Sequence, residues 1–252
     1  MRYGVFGAAA ILCAAVFGRS LVAAPSLGRI EGTVKFPGET PRPFLIVNRD
    51  ERQCPHGIAP NRLLVDQTTL GLQNAVVALD ADELRRPMPL AAFVVTGCVF
   101  QPRVQAITAG TNVEFSNADA TGHHLHIYRD GVSTFEIPLP QNGAAVRRPF
   151  VDKGLFQVNC DRHLWERGWI YVSDHPYIAV TGAHGEFAIE HIPPGRYGIR
   201  AWHEGWLSEK IDRQGRTEFQ PMAQRQEITI HSGKTTHVTF DQMAPDRAPT
   251  HQ

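Results

Sequence analysis

Residues Leu155–Val172, LFQVNCDRHLWERGWIYV, decide the reading of this chain. Two short apolar runs, Leu155–Val158 and Trp169–Val172, flank a compact loop that carries Cys160, His163 and Glu166. Runs this short, rich in Val, Ile and aromatics and bounded by polar or turn residues, read as strands. A loop between two such strands brings a thiol, an imidazole and a carboxylate to one end of a sheet.

The same punctuation recurs outward in both directions. Upstream lie Arg29–Phe36, Asn74–Leu79, Phe93–Val95, Val104–Ile107, Thr111–Phe115, Leu125–Tyr128 and Phe135–Leu139. Downstream lie Phe187–Ile189, Tyr197–Ala201, Glu227–Ile230 and His237–Phe240, all separated by Gly, Pro, Asn or Asp. Short strands at regular spacing, with no sustained 3.6-residue period, predict an all-β protein of sandwiches or barrels. Asp80–Arg86 is the one stretch with helical character.

Composition agrees with a globular chain. Of 252 residues 42% are hydrophobic, ample for one large core or two modest ones, and 9% aromatic content excludes a disordered polymer. Lys+Arg 25 balances Asp+Glu 25 and no basic block occurs, so no nucleic-acid partner is expected. Twelve His is a surplus for this length.

Residues 1–25 read as a secretory signal peptide: Arg2, the uncharged run Val5–Phe17, then small residues at Val22–Ala24, with cleavage near Ala23 to Ser26. An uncleaved anchor is the alternative. No later run is long enough to span a bilayer, which needs about 17–25 apolar residues. The expectation is an exported chain, periplasmic or otherwise, with no transmembrane segment after cleavage. Beyond Cys13 this leaves Cys54, Cys98 and Cys160, an odd number for an oxidising compartment. An odd cysteine there implies a free thiol, an intermolecular bridge or a thiolate held by a metal.

Two resemblances organise the strands. Phe100-x-Pro102-x-Val104, Gly110, Asn117-x-Asp119, His123 and Cys160-x-x-His163 resemble a cupredoxin, the small Greek-key sandwich that holds type 1 copper. The spacing after the Cys is most similar to the amicyanin type, and the run from Trp165 to Tyr177 to cupredoxins of methylamine utilisation. The flanks resemble a carboxypeptidase-regulatory-type sandwich through Gly32-x-Val34-x-Phe36, Asn74–Val77, Gly185-x-Phe187-x-Ile189 and Ile192-Pro193-Pro194-Gly195-x-Tyr197, with Ile228–Phe240 as its last strands. Together they imply a cupredoxin domain over 88–175 inserted into a discontinuous sandwich of 28–82 and 176–240, followed by a flexible tail, 241–252. The alternative is three regions in a row.

The cupredoxin resemblance implies a mononuclear copper site with His123, Cys160 and His163 as ligands, because soft thiolate suits Cu(I) and imidazole accepts either oxidation state. It also implies single-electron transfer with an unnamed redox protein rather than enzymatic turnover, unless water reaches the copper. The chain departs from the family pattern twice. Glu166 stands where the axial Met is expected, so it either coordinates or faces solvent. His124 stands where an Asn normally ties the two ligand loops, a role His124 is expected to take over. His126, which strand alternation puts with His124 opposite His123, is a possible accessory or surface ligand. With Cys160 implied as a ligand, Cys54 and Cys98 are expected to form a disulfide; a metal-binding scrap at Cys54-Pro55-His56-Gly57 is the alternative. Trp202-His203-Glu204-Gly205-Trp206 reads as core and rim packing. The competing function is copper capture or delivery, or a metal-free module binding cell-surface glycan or protein.

Overall fold

A computed structural model describes residues 26–40, Cys54, 63–81, 88–211 and 217–245, with only the backbone described at 206–211, 217–219 and 245. In chain order the strands are β1 (Gly28–Val34), β2 (Val76–Leu79), β3 (Ala91–Thr96), β4 (Val99–Gln101), β5 (Val104–Thr108) and β6 (Thr111–Asn117). Next come β7 (His123–Arg129), β8 (Val132–Leu139), β9 (Val146–Phe150), β10 (Gly154–Cys160) and β11 (Arg167–Ser173). The chain continues through β12 (Ile178–Val180), β13 (Glu186–Ile192), β14 (Gly195–Ile211), β15 (Thr217–Ile230), β16 (Thr235–Phe240) and β17 (Ala244–Pro245). No helix occurs among the described residues, so the all-β expectation holds. Asp80 and Ala81 are non-helical, and the rest of the expected helical stretch lies outside the described residues. So do the expected signal peptide, Pro55–Gly57 and residues 246–252 of the expected flexible tail; within that tail Ala244 and Pro245 form strand β17, paired with β15.

The strands form four sheets in two facing pairs. β4-β3-β6-β9 packs on β5-β11-β10-β7-β8, and β13-β1-β16 packs on β12-β2-β14-β15-β17. The first pair encloses a Phe-rich core of Phe93, Phe115, Phe150, Phe156, Leu125, Ile127 and Ile137. The second encloses Ile30, Val34, Val77, Phe187, Ile199 and Phe240. Strand alternation builds both cores. In β7, residues 123, 125 and 127 are buried while 124, 126 and 128 face outward, because successive side chains leave a strand on opposite faces.

β2 breaks that alternation: all its residues are buried. Val77 and Leu79 face one core, while Val76 meets Val104 and Trp202 in a third cluster joining the two sandwiches. A strand covered on both faces reads as a continuous apolar run, as Asn74–Leu79 does. At the seam Trp169 and Trp202 meet edge to face at 5.4 Å. Beside them the buried Glu204 accepts hydrogen bonds from Arg103 Nε at 2.5 Å and from the Trp169 indole. A buried carboxylate is stable only when paired and hydrogen-bonded, and here it is both. Trp202, His203 and Glu204 are thus packing residues, as expected from the sequence.

Candidate metal centre

The β10–β11 hairpin closes a tight loop at one end of the Phe-rich sandwich. Asn159 pairs with Arg167, and Cys160 N–H donates to the Glu166 carbonyl at 3.1 Å. Within the loop Glu166 N–H donates to the His163 carbonyl at 2.9 Å. These bonds turn Cys160, His163 and Glu166 inward while Leu164 stays 65% exposed. β10 lies beside β7, with Cys160 paired to Leu125, so the first residue of β7, His123, meets the loop. Asp161 N–H donates to the His124 carbonyl at 2.9 Å and locks strand and loop together.

The four side chains converge. Their ligand atoms all lie within 4.8 Å of one another, and none of the residues is more than 4% exposed. His123 Nδ1 lies 2.9 Å from Glu166 Oε2, and His163 Nδ1 lies 3.0 Å from Glu166 Oε1. The two Nδ1 atoms are 3.1 Å apart, and Cys160 Sγ is 4.0 Å from His123 Nδ1 and 3.7 Å from His163 Nδ1. Metal–nitrogen and metal–sulfur bonds of roughly 2.0–2.3 Å hold the donors of a tetrahedral set about 3.3–3.8 Å apart, close to these spacings.

Satisfaction of polar groups points the same way. Glu166 Oε1 approaches His163 without hydrogen-bonding alignment, which leaves a buried carboxylate oxygen with no bonded partner. An unmet buried oxygen costs about 1–3 kcal/mol, more when charged. Burial, then the Glu166 charge, pushes the Cys160 thiol up to about 12, against backbone hydrogen bonds from His124 and His163. Burial also works to raise Glu166, yet the hydrogen bond from His123 and the neighbouring His163 imidazole outweigh it and hold the carboxyl below its ordinary range. A thiol, two imidazole nitrogens and an unsatisfied carboxylate oxygen, all buried together, are a donor set that fits a thiophilic metal such as copper. Metal binding would displace the thiol proton, since the thiolate is the ligand.

Behind the cluster stands a group whose role sequence reading missed. Asp119 Oδ1 and Oδ2 accept the N–H groups of Gly97 and Cys98 at 2.6 and 2.9 Å, and Asp119 Oδ2 also lies 3.2 Å from His123 Nε2, an ion-pair approach without hydrogen-bonding alignment. Gly97 and Cys98 both have positive φ, 60° and 57°, as a tight type I′ hairpin turn between β3 and β4 requires. Cys98 is bonded to Cys54, as expected, and its carbonyl accepts the Trp165 indole N–H at 3.1 Å. With a sequence separation of 44, that bridge is worth about 4 kcal/mol in the chain-entropy model. One disulfide-held turn thus touches both ligand segments, through Asp119 to His123 and through Trp165 to the loop. The legible signal was Asn117-x-Asp119: Asn117 Oδ1 accepts the Asp119 N–H at 2.8 Å and aims the carboxylate.

One expectation needs correction. His124 does not tie the loops with its side chain, which faces outward and meets Glu136 Oε2 at 2.9 Å; alternation forces that direction once His123 faces in. Its backbone carbonyl and the Asp119 side chain do the tying. His126 is likewise on the outer face, against Ser133 Oγ at 2.7 Å and the Tyr128 hydroxyl at 3.0 Å, and does not join the buried cluster.

No family model and no curated protein matches the chain. Among solved structures it is similar to a purple cupredoxin from Nitrosopumilus maritimus, at 25% identity over 33% of this chain and 99% of that one, with a TM-score of 0.30. It is similar to a copper-containing nitrite reductase from Thermus scotoductus SA-01, at 27% identity over 38% of this chain and 24% of that one, TM-score 0.30. A reduced amicyanin variant matches at 14% identity over 38% of this chain and 98% of that one, TM-score 0.31. Among the described residues no helix is long and apolar enough to cross a membrane.

Proposed function

We propose that this chain is an exported copper protein that transfers single electrons through a mononuclear centre held by His123, Cys160, His163 and Glu166. The observation that carries the reading is the buried convergence of these four donors within 4.8 Å, with Glu166 Oε1 left unsatisfied. Copper bound there would supply one-electron redox chemistry. The chain's own part is to keep the donors in place in both oxidation states. The short β10–β11 loop, the Asp161–His124 backbone bond and the Asp119 carboxylate on His123 do this. Rigid donors limit rearrangement, and burial keeps water from completing the coordination.

Glu166 in place of a thioether distinguishes this centre. A carboxylate is hard and anionic and favours Cu(II) over Cu(I). The expected outcome is a lower reduction potential than in the Glu166→Met variant, and a shift of colour toward blue on that substitution. Voltammetry of the copper-loaded chain and of Glu166→Met tests this directly. Equal potentials and equal spectra would remove the carboxylate from the ligand set, and loss of copper on reduction would favour capture or delivery over electron transfer.

The surrounding architecture belongs to the same reading. Pairing of β1 with β13 and β16, and of β2 with β12 and β14, supports a carboxypeptidase-regulatory-like sandwich over 28–82 and 176–240 that hosts 88–175 as an insertion. Residues 1–25 fit export, which suits the Cys54–Cys98 bridge because disulfides persist in oxidising compartments.

A further inference from the structure

The outer face of β7 repeats, in polar form, what its inner face does. His124 and His126 are two residues apart on one strand and therefore project from the same face. Across the β7–β8 ladder His126 is paired directly with Glu136, which also faces out. The Glu136 carboxylate lies between the imidazoles: Oε2 is 2.9 Å from His124 Nε2, and Oε1 is 3.9 Å from His126 Nε2. Two imidazoles sharing one carboxylate are the donor types that borderline divalent ions take.

The other side of His126 is built as well. Its Nδ1 lies 3.0 Å from the Tyr128 hydroxyl and 3.4 Å from Asp161 Oδ2, and the Tyr128 ring stacks on the imidazole at 4.2 Å. A proton on Nδ1 donates to these oxygens and leaves the Nε2 lone pair toward Glu136 and the Ser133 hydroxyl. A carboxylate behind the far nitrogen of an imidazole is the arrangement that fixes the tautomer and orientation of metal-ligating histidines. His126 is the anchored member, its side chain 17% exposed, while His124 and Glu136 are 38% and 52% exposed and free to close on an ion. Strand pairing, shared carboxylate and the backing of His126 are separate observations that agree.

We propose that His124, His126 and Glu136 form a second, solvent-accessible metal site for a divalent ion such as Zn²⁺ or Cu²⁺, with Asp161 and Tyr128 positioning His126. Water completes the coordination, because the face is open. The ion takes the place of the Nε2 proton that His124 donates to Glu136, and His124 stays a neutral imidazole with its proton on Nδ1. Its donors lack sulfur, so the site selects a divalent ion and not Cu(I). Asp161 is the residue after Cys160, so the outer site and the buried cluster share one strand and one loop.

The test counts Zn²⁺ bound per chain by equilibrium dialysis, using the full chain in four forms. These are the unsubstituted protein, the outer variant His126→Asn/Glu136→Gln, the buried-centre variant Cys160→Ser/His163→Ala, and all four substitutions combined. The proposal expects the outer pair of substitutions to remove one equivalent from both backgrounds. The outer substitutions lie on an exposed face, so folding is retained, and circular dichroism verifies it. The proposal is overturned if the outer substitutions leave the count unchanged, or lower it only while the buried ligands are intact. Failure of the buried-centre reading shows separately, as a count that does not respond to Cys160→Ser/His163→Ala.

Discussion

The two sandwiches of this molecule solve the same packing problem and differ in what they do with the end of a core. In the sandwich of β1, β2 and β12–β17 the two sheets enclose an apolar cluster of Ile30, Val34, Phe187, Phe240 and their neighbours, and its buried His203 and Glu204 do not converge on a set of metal donors. In the sandwich of β3–β11 the row Ile127, Leu125, His123 runs from core into cluster, and His163, Glu166 and Cys160 meet it there. Alternation of apolar residues suffices for the first. The second buries ionisable groups that destabilise the chain unless they are paired. The difference teaches where to look for chemistry, namely where a well-formed core stops being apolar.

The largest effect expected from this contrast is on stability. Phe240→Ala removes a fully buried ring from the apolar sandwich and should cost about 3–5 kcal/mol in urea unfolding. It should leave the copper spectrum of the folded protein unchanged. An altered spectrum would mean that the two sandwiches do not divide folding from chemistry as their cores suggest.

A second effect reads the seam through pH. His203 is buried, and desolvation lowers its pKa to about 4. The unfolded chain regains an ordinary value near 6.5, so between roughly pH 6.5 and 4 the unfolded state binds more protons. Stability is therefore full above that window and falls as pH drops through it, by up to about 3 kcal/mol. His203→Gln should flatten this part of the pH profile in denaturant titrations. An unaltered slope would assign the acid sensitivity to other groups.

The smallest effect sharpens the picture of the ligand end. Asp119→Asn keeps an oxygen for the Gly97–Cys98 turn but weakens the hold on His123 Nε2. Copper affinity, measured by chelator competition, should fall roughly 10–100-fold, the usual loss when the group behind a metal-ligating His is changed. Unchanged affinity would confine Asp119 to the hairpin turn.

Much of this was legible in the chain, and the rest was hidden for definable reasons. Strands with clean alternation, such as β7, stand out, as does the fully apolar β2. β9, Val146–Phe150, was missed because it is mostly exposed, with paired arginines and Pro149, and reads as a loop. β12 was missed because Ile178–Val180 is too short to show a period. Parallel pairing of β1 with β16, β3 with β6 and β5 with β11 leaves no local trace, since each joins segments distant in sequence. At the candidate site, the Cys160–Glu166 spacing announced three members of the cluster and the resemblance supplied His123. The direction of Glu166 was undecidable from sequence, because an exposed loop carboxylate and an inward one have the same letter. Asp119 acts through space on a turn and a ring from other strands, a relation that spacing does not encode.

The central claim is that Cys160 presents a thiolate to copper within the buried cluster. Titration of the chain with Cu²⁺, followed by optical absorption and electron spin resonance, tests it most directly. The expected outcome is saturation of the buried centre at one copper per chain, with an intense sulfur-to-copper charge-transfer band that Cys160→Ser abolishes. A copper-loaded protein without that band, or a band that survives in Cys160→Ser, would contradict it.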